Sequence, residues 1–258
     1  MTKFPRTPHL SGSELQRGDD PSTVPWSELK GRPVVVEEKL DGANAGIRFG
    51  PDGTLLLQSR GHYLEGGPRE RHFARMHTWA QTHRPAMWEV LGSRYLVYGE
   101  WMYAKHTVFY DALPHWFLEF DVYDSERGVF LDTSSRRELL APLPIVSVPV
   151  LYDGAAKGAS HLLGLLGPSR ARTPQWRDAL ERAAARQGQR HDRVVQQTDS
   201  SDLAEGLYVK WEADGIVRGR FKYVRPGFTQ ALLDSGDHWH RRPILPNELA
   251  PGVDIYAP

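Results

Sequence analysis

Glu38-Lys39-Leu40-Asp41-Gly42-Ala43-Asn44 is the stretch of this sequence best suited to covalent chemistry. The β-branched run Val34-Val35-Val36 ahead of it reads as a buried strand, so Lys39 stands at a strand end and a glycine turn follows at once. A lysine so placed sits at the mouth of a pocket with its amine partly desolvated. Burial disfavours the charged form, lowers the pKa and frees a lone pair for bonding to phosphorus. The same K-x-D-G spacing also describes an ordinary Asp-Gly turn beside a surface lysine, so the motif needs company. The chain contains no cysteine, which excludes thiol nucleophiles, disulfides and cysteine-bound zinc. It also has no H-E-x-x-H or paired-histidine spacing and no G-x-x-x-x-G-K-[ST] segment, which excludes zinc-enzyme and P-loop chemistry.

The company consists of five further segments in order along the chain. They are Ser59-Arg60-Gly61, Tyr98-Gly99-Glu100-Trp101, Phe117-Leu118-Glu119-Phe120-Asp121, Glu205-Gly206-Leu207-Tyr208-Val209-Lys210 and Arg220-Phe221-Lys222-Tyr223. With the Lys39 segment, they resemble motifs I, Ia, III, IIIa, IV and V of the ATP-dependent ligase and capping-enzyme superfamily. Asn44 is the telling position. DNA ligases usually carry arginine there, whereas K-x-x-G-x-N resembles the RNA ligase 2-like family of phage and bacterial relatives. The run from Gly99 to His106 and Leu113-Pro114 also resemble that family, and the similarity spans roughly residues 30–225.

The resemblance implies an α+β nucleotidyltransferase fold in which antiparallel sheets form an ATP pocket. Lys39 would take AMP from ATP, Glu38 would lie near the adenine, and Phe120 would stack on it, although simple strand packing explains Phe120 as well. Arg60 and Glu100 would hold the ribose and phosphate region, and Asn44 would help arrange the phosphates. Glu205, and with it Glu100, would engage Mg²⁺ or Mn²⁺. Lys210 and Lys222 would contact the α-phosphate and, beside Lys39, help keep its amine neutral. Arg220 departs from the family's usual K-x-K; it keeps the charge but not the geometry of lysine. The implied partner is RNA with 5′-phosphate and 3′-hydroxyl ends. Lys105 and His106 are candidates for contact with the RNA end, and a solvated loop accounts for them equally. A DNA ligase, another lysine-adenylylating nucleotidyltransferase and a non-catalytic nucleotide or RNA-end binding module remain the alternatives.

The elements that must position these residues are strands at 45–49, 54–60, 95–102, 116–123, 146–152, 207–211 and 215–224, besides the one that ends at Lys39. Gly50-Pro51-Asp52-Gly53 reads as a hairpin turn. Helices are expected at 69–83, 135–140, 159–166 and 175–186. Strands in the motif segments interrupted by helices give the α+β class. The Ala-, Arg- and Gln-rich stretch about 154–201 reads as a helical insertion in a nucleotidyltransferase domain of residues 1–228. Residues 229–258 read as an irregular tail with no separate oligonucleotide-binding-fold domain, which predicts a minimal ligase that embraces RNA with its insertion or relies on an end-healing kinase-phosphatase.

The 258 residues are 40% hydrophobic, enough for a sizeable core, and no run approaches the roughly 18 apolar residues of a membrane helix. A cytoplasmic protein is expected, since the N-terminus lacks a signal-peptide apolar region. Lys plus Arg and Asp plus Glu each total 32, so a polyanion partner would need a local cationic groove. Lys210, Arg218, Arg220, Lys222 and Arg225 are the candidates for it.

Overall fold

The computed structural model describes residues 1–15, 19, 21–228 and 243–257. Its strands are β1 (His9–Leu10), β2 (Thr23–Val24), β3 (Pro33–Lys39), β4 (Ala43–Phe49), β5 (Leu55–Ser59), β6 (Tyr95–Trp101), β7 (Phe117–Asp124), β8 (Val129–Phe130), β9 (Val146–Ser147), β10 (Val150–Ala155), β11 (Gly206–Ala213) and β12 (Ile216–Val224). The α-helices are α1 (Ala74–Thr82), α2 (Arg84–Leu91), α3 (Thr133–Leu140), α4 (Ala159–Leu163), α5 (Trp176–Arg186) and α6 (His191–Gln196). The α+β class expected from the sequence is the one observed.

One sheet runs β10-β3-β11-β12-β1-β2 and the other β5-β4-β6-β7-β8, with β9 beside β7. Most neighbours are antiparallel, but β1 pairs in parallel with both β12 and β2, and β9 with β7. The expected single strand at 146–152 is two strands because the chain changes sheet there. The Val148 amide donates to Glu119 in one sheet, and the Pro149 carbonyl accepts from Glu38 in the other. Proline cannot continue a ladder as a donor, which marks the crossing point. Between the sheets, Leu40, Tyr98, Leu118, Phe120 and Val224 share one core cluster.

β3 reads as a β-branched run because it is central. Proline opens it, and its residues from Val34 to Glu38 are closed off between β10 and β11. α5 is amphipathic for the usual reason: Trp176, Ala179, Leu180, Ala183 and Ala184 form one helical stripe and pack with Phe109, Val194 and Leu245. Sequence periodicity misses α2 and α6. Pro85 looks like a helix stop but occupies the first turn of a new helix, where its missing N–H costs nothing. α6 is a short polar helix with Val194 as its buried residue, so it has no stripe to detect.

The segment expected as one helical lobe divides in two. Leu162 of α4 joins the core beneath the β3 sheet, whereas α5 and α6 form the separate cluster around Phe109. Of the expected tail, 229–242 and 258 lie outside the described residues. Residues 243–257 pack on the body, with Leu245, Asn247 and Ile255 buried and Asn247 bridging the Tyr110 amide and the Met102 carbonyl.

Candidate active site

β3 delivers Lys39 to its end, opposite Gly206 of β11. A Cβ on Gly206 would lie 1.8 Å from the Tyr223 carbonyl oxygen, so only glycine lets β11 and β12 close at this point. The residue before it, Glu205, places Oε1 2.7 Å from the Lys39 amine, with the two side chains 3% and 23% exposed. Asn44 of β4 lies directly across from Glu100 of β6, which puts both on one face. A cavity of about 140 Å³ opens here, and Glu38, Lys39, Asn44, Arg60, Glu100, Phe120 and Lys222 all line it. These sequence-predicted residues are therefore brought together.

Lys210 and Arg220 are not among the lining residues. The reason is depth along the strand. Lys39 is opposite Gly206 and Lys222 is opposite Tyr208, but Lys210 pairs with Val35 and Arg220. It thus sits four residues, roughly 13 Å, down the strand from Gly206. There it is fully buried, 3.0 Å from Glu37 and 3.4 Å from Asp121, and it donates to the Phe120 carbonyl. Arg220 lies 3.8 Å from Asp121 with its guanidinium over the Phe130 ring. The α-phosphate contact expected of Lys210 is corrected accordingly: Lys210 fixes the backbone of the strand that carries Phe120. Arg136, from α3, completes the buried cluster by bridging Glu37 and Glu119.

The candidate cations for a local groove all stand beside carboxylates. Arg218 pairs with Asp214, Lys222 with Asp19 and Arg225 with Asp199, while Lys210 and Arg220 face Asp121. Each cation of that run is neutralised by a carboxylate.

The electrostatics of Lys39 also differ from the expectation. Burial pulls its amine down, but Glu205, Glu100 and Asp41 pull it up further, and the net shift is upward. These carboxylates favour Lys39 as an ammonium. Burial raises Glu205 to about 7 against the pull of Lys39. Burial likewise raises Glu100 to about 8, with Glu205 and Asp41 adding to it. Burial, then Lys39, lowers Lys222. Lys39, Glu205 and Lys222 therefore share one local field.

A hard divalent cation suits this donor set. Glu100 Oε2 and Glu205 Oε2 are buried oxygens without a hydrogen-bond partner, and carboxylate oxygen is the donor type Mg²⁺ and Mn²⁺ prefer. Among the described residues no group of three or more His, Cys, Asp or Glu side chains is arranged around a metal position. Remaining ligands would be substrate oxygens and water.

Phe4 carries no signal in the sequence, whereas Glu38, Asp41 and Tyr208 lie inside the quoted motifs. Glu38 is buried, and its carboxylate accepts from Ser169 Oγ and the Arg170 amide. Phe4 stands edge-on to Phe120 at 5.2 Å, and Tyr208 is 5.8 Å from Phe120. Tyr208 lies inside a quoted motif and alternation along β11 could have found it. Phe4 belongs to an irregular segment with no period to read. Asp41 accepts the amides of Thr107 and Val108 and lies 3.8 Å from His106. The turn residue of the lysine motif thus anchors the loop after β6.

The profile of the family described as RNA ligase matches residues 32–224. No curated protein matches the chain. Solved structures of Naegleria gruberi RNA ligase are similar in fold. A variant with AMP and Mn has TM-score 0.50 and 18% identity, covering 85% of this chain and 59% of that one. A variant without ligand has TM-score 0.50 and 20% identity, covering 86% and 57%. A variant with ATP and Mn has TM-score 0.50 and 21% identity, covering 82% and 54%. The chain therefore spans less than two thirds of the length of these ligases. No helix among the described residues is long and apolar enough to cross a membrane.

Proposed function

Because the chain belongs to the RNA ligase family, we propose that residues 1–228 are the nucleotidyltransferase domain of an ATP-dependent RNA ligase that carries AMP on Lys39. The observation that carries this reading is the Lys39 amine held against Glu205 at a cavity lined by Glu38, Arg60, Glu100, Phe120 and Lys222. In the first step Lys39 Nζ, as the neutral amine, forms a bond to the α-phosphorus of ATP while the bond from that phosphorus to the bridging oxygen breaks and pyrophosphate leaves. Its proton passes to solvent, since the Lys39 side chain is 23% exposed. Phe120 offers a ring face to the adenine, Arg60 and Asn44 orient the ribose and phosphates, and Lys222 balances charge on the α-phosphate. Glu100 and Glu205 would hold Mg²⁺ or Mn²⁺, which screens the triphosphate and favours the neutral form of a nearby amine. AMP then passes to an RNA 5′-phosphate, and a 3′-hydroxyl displaces it to close the strand. An end-healing kinase-phosphatase is the class of enzyme that supplies such ends.

The test is incubation of the chain with α-labelled ATP and Mg²⁺ or Mn²⁺, followed by nicked duplexes with an RNA or a DNA 3′-hydroxyl strand. A labelled protein that seals only the RNA-containing nick supports the reading. An unlabelled protein overturns it, and equal sealing of all-DNA nicks makes the chain a DNA ligase.

The pH dependence follows from the upward shift of Lys39. Its reactive form is the deprotonated one, so below that raised pKa the neutral fraction increases about tenfold per pH unit. Single-turnover labelling at saturating ATP and metal is expected to accelerate from about pH 6 to 9, more steeply below about pH 8, where Glu205 and Glu100 also titrate, and with a slope of about one above it, the signature of a single ionisation. A flat profile would show that deprotonation of this amine does not limit the step.

A further inference from the structure

A second cavity, of about 270 Å³, takes no part in the chemistry above. It opens where the loop after β6 meets α6. Pro243 and Ile244 give it an apolar wall over the buried Val194 and Leu245, while Lys105, His106, Arg190 and Arg193 supply its cationic and imidazole groups, and no carboxylate among the described residues lines it. In a chain whose acids and bases balance at 32 each, this is a local concentration of positive charge.

Its parts are differently held. Lys105 Nζ donates to the His106 and Gln197 carbonyls and so ties the loop to the C-terminal end of α6. Arg190 is exposed and pairs with Asp192 two residues away, a surface contact that an incoming phosphate displaces at little cost. Arg193 is exposed and has no ion-pair partner among the described residues. His106 links the cavity to the lysine motif. His106 lies 3.8 Å from Asp41, and Asp41 is anchored two residues beyond Lys39. His106 feels the charge of Lys39 as well.

We propose that this cavity binds the RNA strand next to the end being joined. Arg190 and Arg193 take a backbone phosphate, a base rests on the Pro243 and Ile244 wall, and the strand end passes His106 to reach the AMP on Lys39. The inference rests on the ligase reading. RNA is favoured over a free anion because the cavity combines phosphate-binding cations, an apolar wall and a lining residue, His106, that stands beside Asp41 of the lysine motif.

The test uses the whole chain and the double variant Arg190→Ala/Arg193→Ala, both exposed and remote from the nucleotide pocket. Labelling by α-labelled ATP is expected to stay within about twofold of the unsubstituted protein, because neither residue lines that pocket. Affinity for a 5′-phosphorylated RNA oligomer, read by fluorescence anisotropy, is expected to fall about tenfold, as removal of a charge-assisted hydrogen bond predicts. The slope of log affinity against log salt should become shallower by about 0.7 for each RNA phosphate that the variant no longer neutralises, a change that a merely structural role does not produce. Two arms separate the strands: AMP transfer to a 5′-phosphorylated oligomer, and sealing of a pre-adenylylated oligomer to a 3′-hydroxyl strand. A defect in either supports the cavity as an RNA site and says which strand it holds. Unchanged affinity, salt slope and joining overturn the proposal. If the unsubstituted protein never takes label yet its RNA affinity responds to the substitutions, the ligase reading fails and the RNA cavity stands.

Discussion

Lys39→Ala is expected to eliminate transfer of label from α-labelled ATP to the protein, a loss of at least about a thousandfold, because no neighbouring group can form the bond to phosphorus in its place. Lys222 is paired with Asp19 and Lys210 is sealed inside the Glu37 and Asp121 cluster. The fold should survive. Without the lysine cation, Glu205 and Glu100 lose the charge that draws them down, so these already raised carboxyls stay protonated to higher pH and are not left as bare buried anions. Lys39→Arg is the sharper control. A guanidinium keeps the positive charge beside Glu205 but does not deprotonate in this range, so nucleotide binding is expected to persist while labelling is lost. Intact-protein mass spectrometry after incubation with ATP reads the adduct, and isothermal titration reads binding. Label retained in Lys39→Ala would move the nucleophile elsewhere.

Arg136→Ala is expected to be the most destabilising single substitution near the site. Arg136 is completely buried and bridges Glu37 and Glu119, whose own side chains are completely buried. Breaking such a pair strands its partners in a low-dielectric interior, with a cost of about 3–5 kcal/mol. For a protein of this size that corresponds to a fall in melting temperature of about 10–15 °C. Arg136→Lys should fall between the two, since a single ammonium cannot fork to both carboxylates. The damage should reach the pocket even below the melting transition. Glu37 also holds Lys210, and Lys210 holds the carbonyl of Phe120. Circular dichroism melts, with nucleotide titrations at low temperature, measure both effects. A melting temperature within about 2 °C of the unsubstituted protein would mean that water or neighbouring groups relieve the stranded carboxylates.

How much of the site is legible in the sequence follows from what a short motif encodes. Lys39, Glu205 and Lys222 lie on adjacent strands within two residues of the same level, so reading the motifs in order is enough to gather them. Lys210 escapes that reading because a motif gives order and not depth: four residues further along β11 the same face meets the buried acids and not the cavity. The raised pKa of Lys39 is hidden for a related reason. Glu100 and Asp41 converge on it from β6 and from the turn after β3, and linear spacing does not reveal how many carboxylates meet at one amine. The central strand and α5 are readable because each buries a regular face. α6 buries one valine and offers no pattern, yet it borders the second cavity.

The parallel pairing of β1 with β12 sets His9 beside Lys222, near opposite ends of the described chain. Phe4 and Lys222 are both walls of the Lys39 cavity, so a nascent polypeptide cannot assemble that cavity until β12 has been synthesised and has paired with β1. Contacts so distant in sequence form late and slowly. A nucleotide that recognises only the finished cavity would then act as a folding ligand, adding about 2.7 kcal/mol at about a hundred times its dissociation constant and favouring chains that include β12 over ones truncated before it.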